Sequence, residues 1–138
     1  MKRNGILNSD ISRVLSYMGH TDHICIGDCG LPIPDETERI DLTVCFGEPS
    51  FMKVLEEVSN DMKIEKIILA EEIKTQNPKQ LENVLNLIKG LENGSDIEVE
   101  YVSHTKLKEL TNDCKAVIRT GETTPYSNII LQSGCIFG

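Results

Sequence analysis

The sequence predicts an α/β fold: one layered domain over residues 1–138, with a largely parallel central sheet flanked by helices. Three observations carry that expectation. Apolar residues recur at helical spacing in several segments, those segments alternate with short β-branched runs, and glycine or proline marks most of the junctions. A chain of 138 residues suits a single domain and buries roughly 68% of the surface its unfolded form exposes, so it needs no disulfide or metal to fold.

The first helix is expected over residues 8–19, where Ile11, Val14, Leu15 and Met18 form one stripe. Asn8 or Ser9 can accept the first unpaired amides, Asp10 complements the positive helix end, and Gly19 suits a left-handed stop. Residues 23–27 are apolar, β-branched and bounded by Asp28, Cys29 and Gly30, which predicts a buried strand. Pro32 and Pro34 fix φ and remove amide donors, so residues 30–35 are a loop.

A second strand is expected over 41–46. A turn at Gly47, Glu48 and Pro49 follows, and then Ser50 caps a helix carrying Phe51, Val54, Leu55 and Val58. Residues 63–70 read as a third, central strand. Asn77 and Pro78 place a cap and a first-turn proline ahead of Leu81, Val84, Leu85 and Ile88. Residues 97–102 alternate as a half-buried strand does, and 105–112 form a short helix. Strands at 115–120 and 128–133 enclose a polar loop.

Composition excludes several functions. With 14 basic and 22 acidic residues the formal charge is −8, which disfavours phosphate backbones and anionic membranes; neither a nucleic-acid nor a membrane partner is expected. The longest apolar runs, 67–70 and 129–131, fall far short of the roughly 20 residues of a membrane-spanning helix. The N-terminus runs into Asn8, Ser9 and Asp10 and does not read as a secretory signal. Five scattered cysteines suit reduced thiols in a cytoplasm. The glycine-rich phosphate loop, the dinucleotide fingerprint and the nucleophile elbow are missing.

Ligands of such sheets sit where loops leave the strand ends, and three polar loops compete: 19–28, 102–105 and 119–128. The first is dense in His20, Asp22, His23, Cys25, Asp28 and Cys29. Zinc is disfavoured there, because Cys25 and Cys29 span a strand and its exit, and no second Cys or His pair follows at finger spacing; no metal is expected. His20 lies in a loop at a sheet end, where an imidazole with a reference pKa near 6.5 exchanges protons at neutral pH. A surface histidine closing the helix is the plainer reading, and His23 reads as a packing or edge residue.

Asp28 is either a ligand acceptor, a partner for a histidine or a turn residue before Gly30. His104 follows a strand at a helix start, where the dipole lowers its pKa. Residues 119–128 bring guanidinium, carboxylate, hydroxyl and amide groups together, as a polyol requires, with Tyr126 offering an apolar face. The plainer reading pairs Arg119 with Glu122 and gives Asn128 a turn. Glu71 and Glu72 are adjacent and read as a solvated face.

Ordered blocks sharpen these alternatives. Leu7-Asn8-Ser9-Asp10-Ile11-Ser12, Gly19-His20-Thr21-Asp22 and Asp28-Cys29-Gly30-Leu31-Pro32-Ile33-Pro34 come first. Pro49-Ser50-Phe51-Met52, Ala70-Glu71-Glu72-Ile73-Lys74, Arg119-Thr120-Gly121-Glu122 and Pro125-Tyr126-Ser127-Asn128-Ile129-Ile130-Leu131 follow. Together, over nearly the whole chain, they resemble the ribose-pyranase and fucose-mutarotase family.

The resemblance implies a cofactor-independent isomerase that interconverts pyranose and furanose forms of ribose. It implies His20 as general acid, with Asp28, His104, Tyr126, Ser127 and Asn128 holding the sugar. A ring-shaped homodecamer in the cytoplasm, with sites near subunit boundaries, is also implied. The alternatives are a mutarotase for another sugar such as fucose and a non-catalytic sugar-binding module. The acid assignment requires His20 to share a pocket with Tyr126 and Asn128.

Overall fold

In the computed structural model, residues 1–137 are described; Gly138, the last position of the expected domain, lies outside the described residues. Helix α1 (Ser9–Tyr17) starts where the Asn8 side chain accepts the Ile11 amide at 3.0 Å. It ends at Tyr17, two residues before the expected glycine. Met18 is extended and returns its amide to the Val14 and Leu15 carbonyls, so Gly19 makes no left-handed stop. The left-handed residue is Thr21, at φ 72°.

Strand β1 (His23–Gly27) follows, then β2 (Glu38–Asp41), α2 (Phe51–Asp61) and β3 (Ile64–Ala70). Next come α3 (Ile73–Gln76), α4 (Pro78–Lys89), β4 (Glu98–Val102), α5 (His104–Leu110), β5 (Ala116–Arg119) and β6 (Ile129–Ser133). The caps expected at Ser50 and Asn77 accept the amides of Lys53 and Gln80. The second strand is displaced: it ends at Asp41, where its carboxylate accepts the Thr43 amide at 2.9 Å and turns the chain off the sheet edge.

The six strands are ordered β2, β5, β1, β6, β3, β4. Pairs β1 with β5, β2 with β5, and β3 with β4 are parallel, whereas β6 runs antiparallel to both β1 and β3. Residues 64–70 are an interior strand as expected, paired by β6 on one side and β4 on the other, while β1 and β6 occupy the middle of the sheet.

Alternation along the strands divides the core between the two sheet faces. Ile24, Ile26, Ile67, Leu69, Ile118, Ile129 and Leu131 face α1, α2 and α4, whose Val14, Phe51, Leu55 and Val84 are buried against them. Cys25, Ile68, Val117 and Ile130 face Leu31 and the α5 residue Leu107. Each fully buried isoleucine or leucine contributes about 1.5–3 kcal/mol, and these two layers fix the strand ends. No helix among the described residues is long and apolar enough to cross a membrane.

Candidate active site

The C-terminal ends of β1, β3, β4 and β5 and the start of β6 lie along one sheet edge, as the strand directions and register require. Asp28 leaves β1 here and Asn128 enters β6. The Asn128 amide, 1% exposed, accepts the Asp28 backbone N–H at 2.9 Å and donates Nδ2 to Asp28 Oδ2 at 3.1 Å. Asp28 Oδ1 accepts the Gly30 N–H at 3.0 Å, so the turn role is made by one carboxylate oxygen while the other is bonded by Asn128.

Burial pushes the Asp28 carboxyl above its ordinary value, against the hydrogen bonds from Gly30, Asn128 and Leu31 and the charge of His104. Thr120 ties the neighbouring strand end in place, donating its hydroxyl and its amide to the Gly27 carbonyl at 2.7 and 3.0 Å.

His104 is the first residue of α5, and its N–H donates to both Glu72 oxygens at 3.1 Å. Glu72 thus anchors a helix start and is not merely solvated. Burial, reinforced by Lys108, holds the His104 imidazole below its ordinary pKa; the direction matches the expectation, but desolvation is its leading cause. Tyr126, at φ 57°, stands edge-on to His104 with ring centroids 5.1 Å apart and planes at 89°.

His104 Nδ1 is buried and has no hydrogen-bond partner. An unpaired buried polar atom costs about 1–3 kcal/mol, a cost that a bound ligand, an ordered water or an ion can relieve; Ser59 Oγ on α2 is the other such atom among the described residues.

Ser127 is fully buried, and its hydroxyl meets Gln80 Nε2 at 3.1 Å and Thr124 Oγ1 at 2.9 Å. Gln80, Thr120 and Glu72 are supports that the sequence reading did not assign, and no local pattern distinguishes them. Arg119 pairs with Asp41 at 3.1 Å and donates to the Cys29 carbonyl. Glu122 accepts the Phe51 amide, so the plain Arg119–Glu122 pair is not formed. A cleft of about 480 Å³ lined by Glu71, Glu72, Lys74, Thr75, Tyr101, Val102 and Ser103 adjoins the cluster through Glu72 and Ser103.

His20 does not join this cluster within one chain. It precedes the N-terminal end of β1, and the five residues of that strand span about 17 Å before Asp28 is reached. Its Nε2 lies 2.9 Å from Glu65 Oε2, and its side chain is 51% exposed. The expected pocket shared with Tyr126 and Asn128 is therefore not built by a single chain. Among the described residues, no three His, Cys, Asp or Glu side chains gather in a way that could hold a metal ion.

The RbsD / FucU transport protein family matches residues 1–136. The chain is 57% identical to a D-ribose pyranase of Streptococcus uberis, over 97% of this chain and 98% of that protein. The structure of Bacillus subtilis RbsD complexed with D-ribose superposes with a TM-score of 0.92 at 47% identity, covering 99% of this chain and 100% of that one. A fucose mutarotase from Streptococcus pneumoniae, in complex with L-fucose, shares the fold at a TM-score of 0.78 and 23% identity, over 95% of each chain.

Proposed function

This chain belongs to the RbsD / FucU family, and from that premise we propose that it is a D-ribose pyranase, an isomerase that interconverts the pyranose and furanose forms of D-ribose. Identity of 57% to a D-ribose pyranase, against 23% to a fucose mutarotase, favours ribose over fucose. The observation that carries the site is the buried, unpartnered Nδ1 of His104 beside the Asp28–Asn128 pair. It is a place prepared for a hydroxyl.

The reaction moves only protons, so it needs no cofactor. Ring opening transfers a proton from His20 to the ring oxygen as the bond from C1 to that oxygen breaks. The anomeric hydroxyl gives its proton to a base, leaving the aldehyde. After rotation a different hydroxyl attacks C1, and both protons return. His104, kept neutral by burial, is suited to be that base or a substrate contact. Asp28, Asn128 and Tyr126 orient the sugar, and Ser127 shapes the loop between them. Positioned acid–base groups contribute about 10²–10⁴ in rate.

His20 reaches the sugar from a second copy of the chain. The two edges face opposite ways, His20 is half exposed, and large apolar side chains stand out near both edges: Tyr17 near His20, Val44 and Phe46 on the loop that hydrogen-bonds Gly121. A contact between unlike edges is head to tail, the type that closes into a ring when the rotation between copies closes, in keeping with the homodecamer that the family resemblance implies. The five free thiols suit a cytoplasmic location.

Saturation-transfer NMR on ribose tests the activity: pyranose exchange rises with the protein, and His20→Ala abolishes the rise. Unaltered exchange in that variant removes the acid assignment, and binding without exchange leaves a sugar-binding module. Co-assembly of His20→Ala with Asp28→Asn chains should restore exchange that neither variant gives alone; no restoration rejects the two-chain site.

A further inference from the structure

We propose that Glu65 is the positioning residue for His20, holding its Nε2–H so that Nδ1 is the atom that exchanges a proton with the sugar. The proposal rests on the reading of His20 as general acid. Its basis is a chain of side-chain bonds across three strands on the edge opposite Asp28. His20 Nε2 meets Glu65 Oε2 at 2.9 Å, Glu65 Oε1 accepts Gln132 Nε2 at 2.7 Å, and Gln132 Oε1 meets His23 Nε2 at 2.9 Å. With both carboxylate oxygens engaged, Glu65 cannot rotate without breaking a bond.

The backbone is shaped to aim this group. Ile64 pairs with Ser133 and Lys66 with Gln132, so two steps along β3 answer one step along β6, and Glu65 is the extra residue. Bulges of this kind re-aim a side chain and recur beside active sites. On the other side, Thr21 is held at φ 72° while its N–H donates to the Ser133 carbonyl at 2.8 Å. A strained threonine next to His20, tied to the same stretch of β6, fixes the imidazole from the opposite direction.

The chemistry follows from the bond. The hydrogen bond made by one ring nitrogen decides which nitrogen carries the hydrogen. Glu65 accepts from Nε2–H, which leaves the Nδ1 lone pair free in the neutral ring and places the transferable proton on Nδ1 in the charged one. That proton passes to the ring oxygen as the bond to C1 breaks, and the hydroxyl that closes the new ring returns its proton to Nδ1. The Gln132 and His20 hydrogen bonds hold the Glu65 carboxyl below the usual range, so it stays ionised and stabilises the imidazolium, the role of the carboxylate in a catalytic triad.

The test combines kinetics with a tautomer signature. Glu65→Gln is isosteric at a side chain 33% exposed, and it should lower kcat about thirtyfold with KM changed less than about twofold. Two-bond nitrogen–proton correlations on the wild-type protein at alkaline pH should show His20 protonated on Nε2. A Glu65→Gln enzyme with kcat within about twofold of wild type, beside an inactive His20→Ala, overturns the proposal and leaves the acid assignment standing. A neutral His20 protonated on Nδ1 overturns it as well. An active His20→Ala overturns both.

Discussion

Asn128 joins the two strand ends that carry the cluster proposed to hold the sugar, and its replacement gives the most quantitative check on that geometry. Asn128→Ala removes one hydrogen bond from the Asp28 amide at 2.9 Å and one to the Asp28 carboxylate at 3.1 Å. A neutral bond is worth about 1 kcal/mol and one to a charged group about 1.5–3 kcal/mol, so the expected loss is about 2.5–4 kcal/mol. For a domain of this size that is a fall of about 10 °C in Tm, read by calorimetry or circular dichroism.

The pH dependence supplies a second readout. Asp28 already sits above its ordinary value, and Asn128 is one of the donors that restrain it; without that donor its pKa rises further. A folded-state pKa above the unfolded one gives a contribution that is fully present below the unfolded value near 3.8 and is lost as pH rises through the folded value. The variant's deficit should therefore be larger at pH 7 than near pH 3. A Tm within about 2 °C of wild type, or a deficit that stays constant across that range, refutes the assigned bonding.

Three further outcomes are expected. Gly121→Ala places a Cβ 2.5 Å from the Glu48 carbonyl oxygen, 2.6 Å from its nitrogen and 2.7 Å from the Cys45 oxygen; because these are backbone atoms, the cost should reach about 3 kcal/mol in urea unfolding. His104 should titrate below 6.5 by carbon–proton NMR. Its folded pKa is depressed, so its contribution to stability is present above 6.5 and lost as pH falls through the folded value, and His104→Asn should remove that part of the slope. Ser127→Ala leaves Gln80 Nε2 without its acceptor in a buried site and should cost about 1–3 kcal/mol in the same unfolding assay.

Much of the secondary structure is legible locally. Asn8, Ser50 and Asn77 announce three helices because a cap acts on an amide three residues away, and all three caps are made. Helical stripes such as Val54, Leu55 and Val58 are legible for the same reason. The second strand is misplaced because Asp41 ends it with a side-chain turn that its apolar successors conceal. Of the residues expected to hold the sugar, Asp28, His104, Tyr126 and Asn128 meet at one sheet edge, and Ser127 stands behind them as a buried tie.

What the amino-acid order by itself determined is therefore the inventory: which segments coil, which extend, and which loops hold titratable and hydroxyl groups. Tertiary structure alone decided the arrangement. It inserted β6 antiparallel between β1 and β3, bulged Glu65 toward His20, set Glu72 against His104, and sent His20 to the edge away from Asp28. The physical reason is distance along the chain: Asp28 and Asn128 are 100 positions apart, and their pairing is chosen by strand register and by burial of both sheet faces, terms that no local window of residues contains.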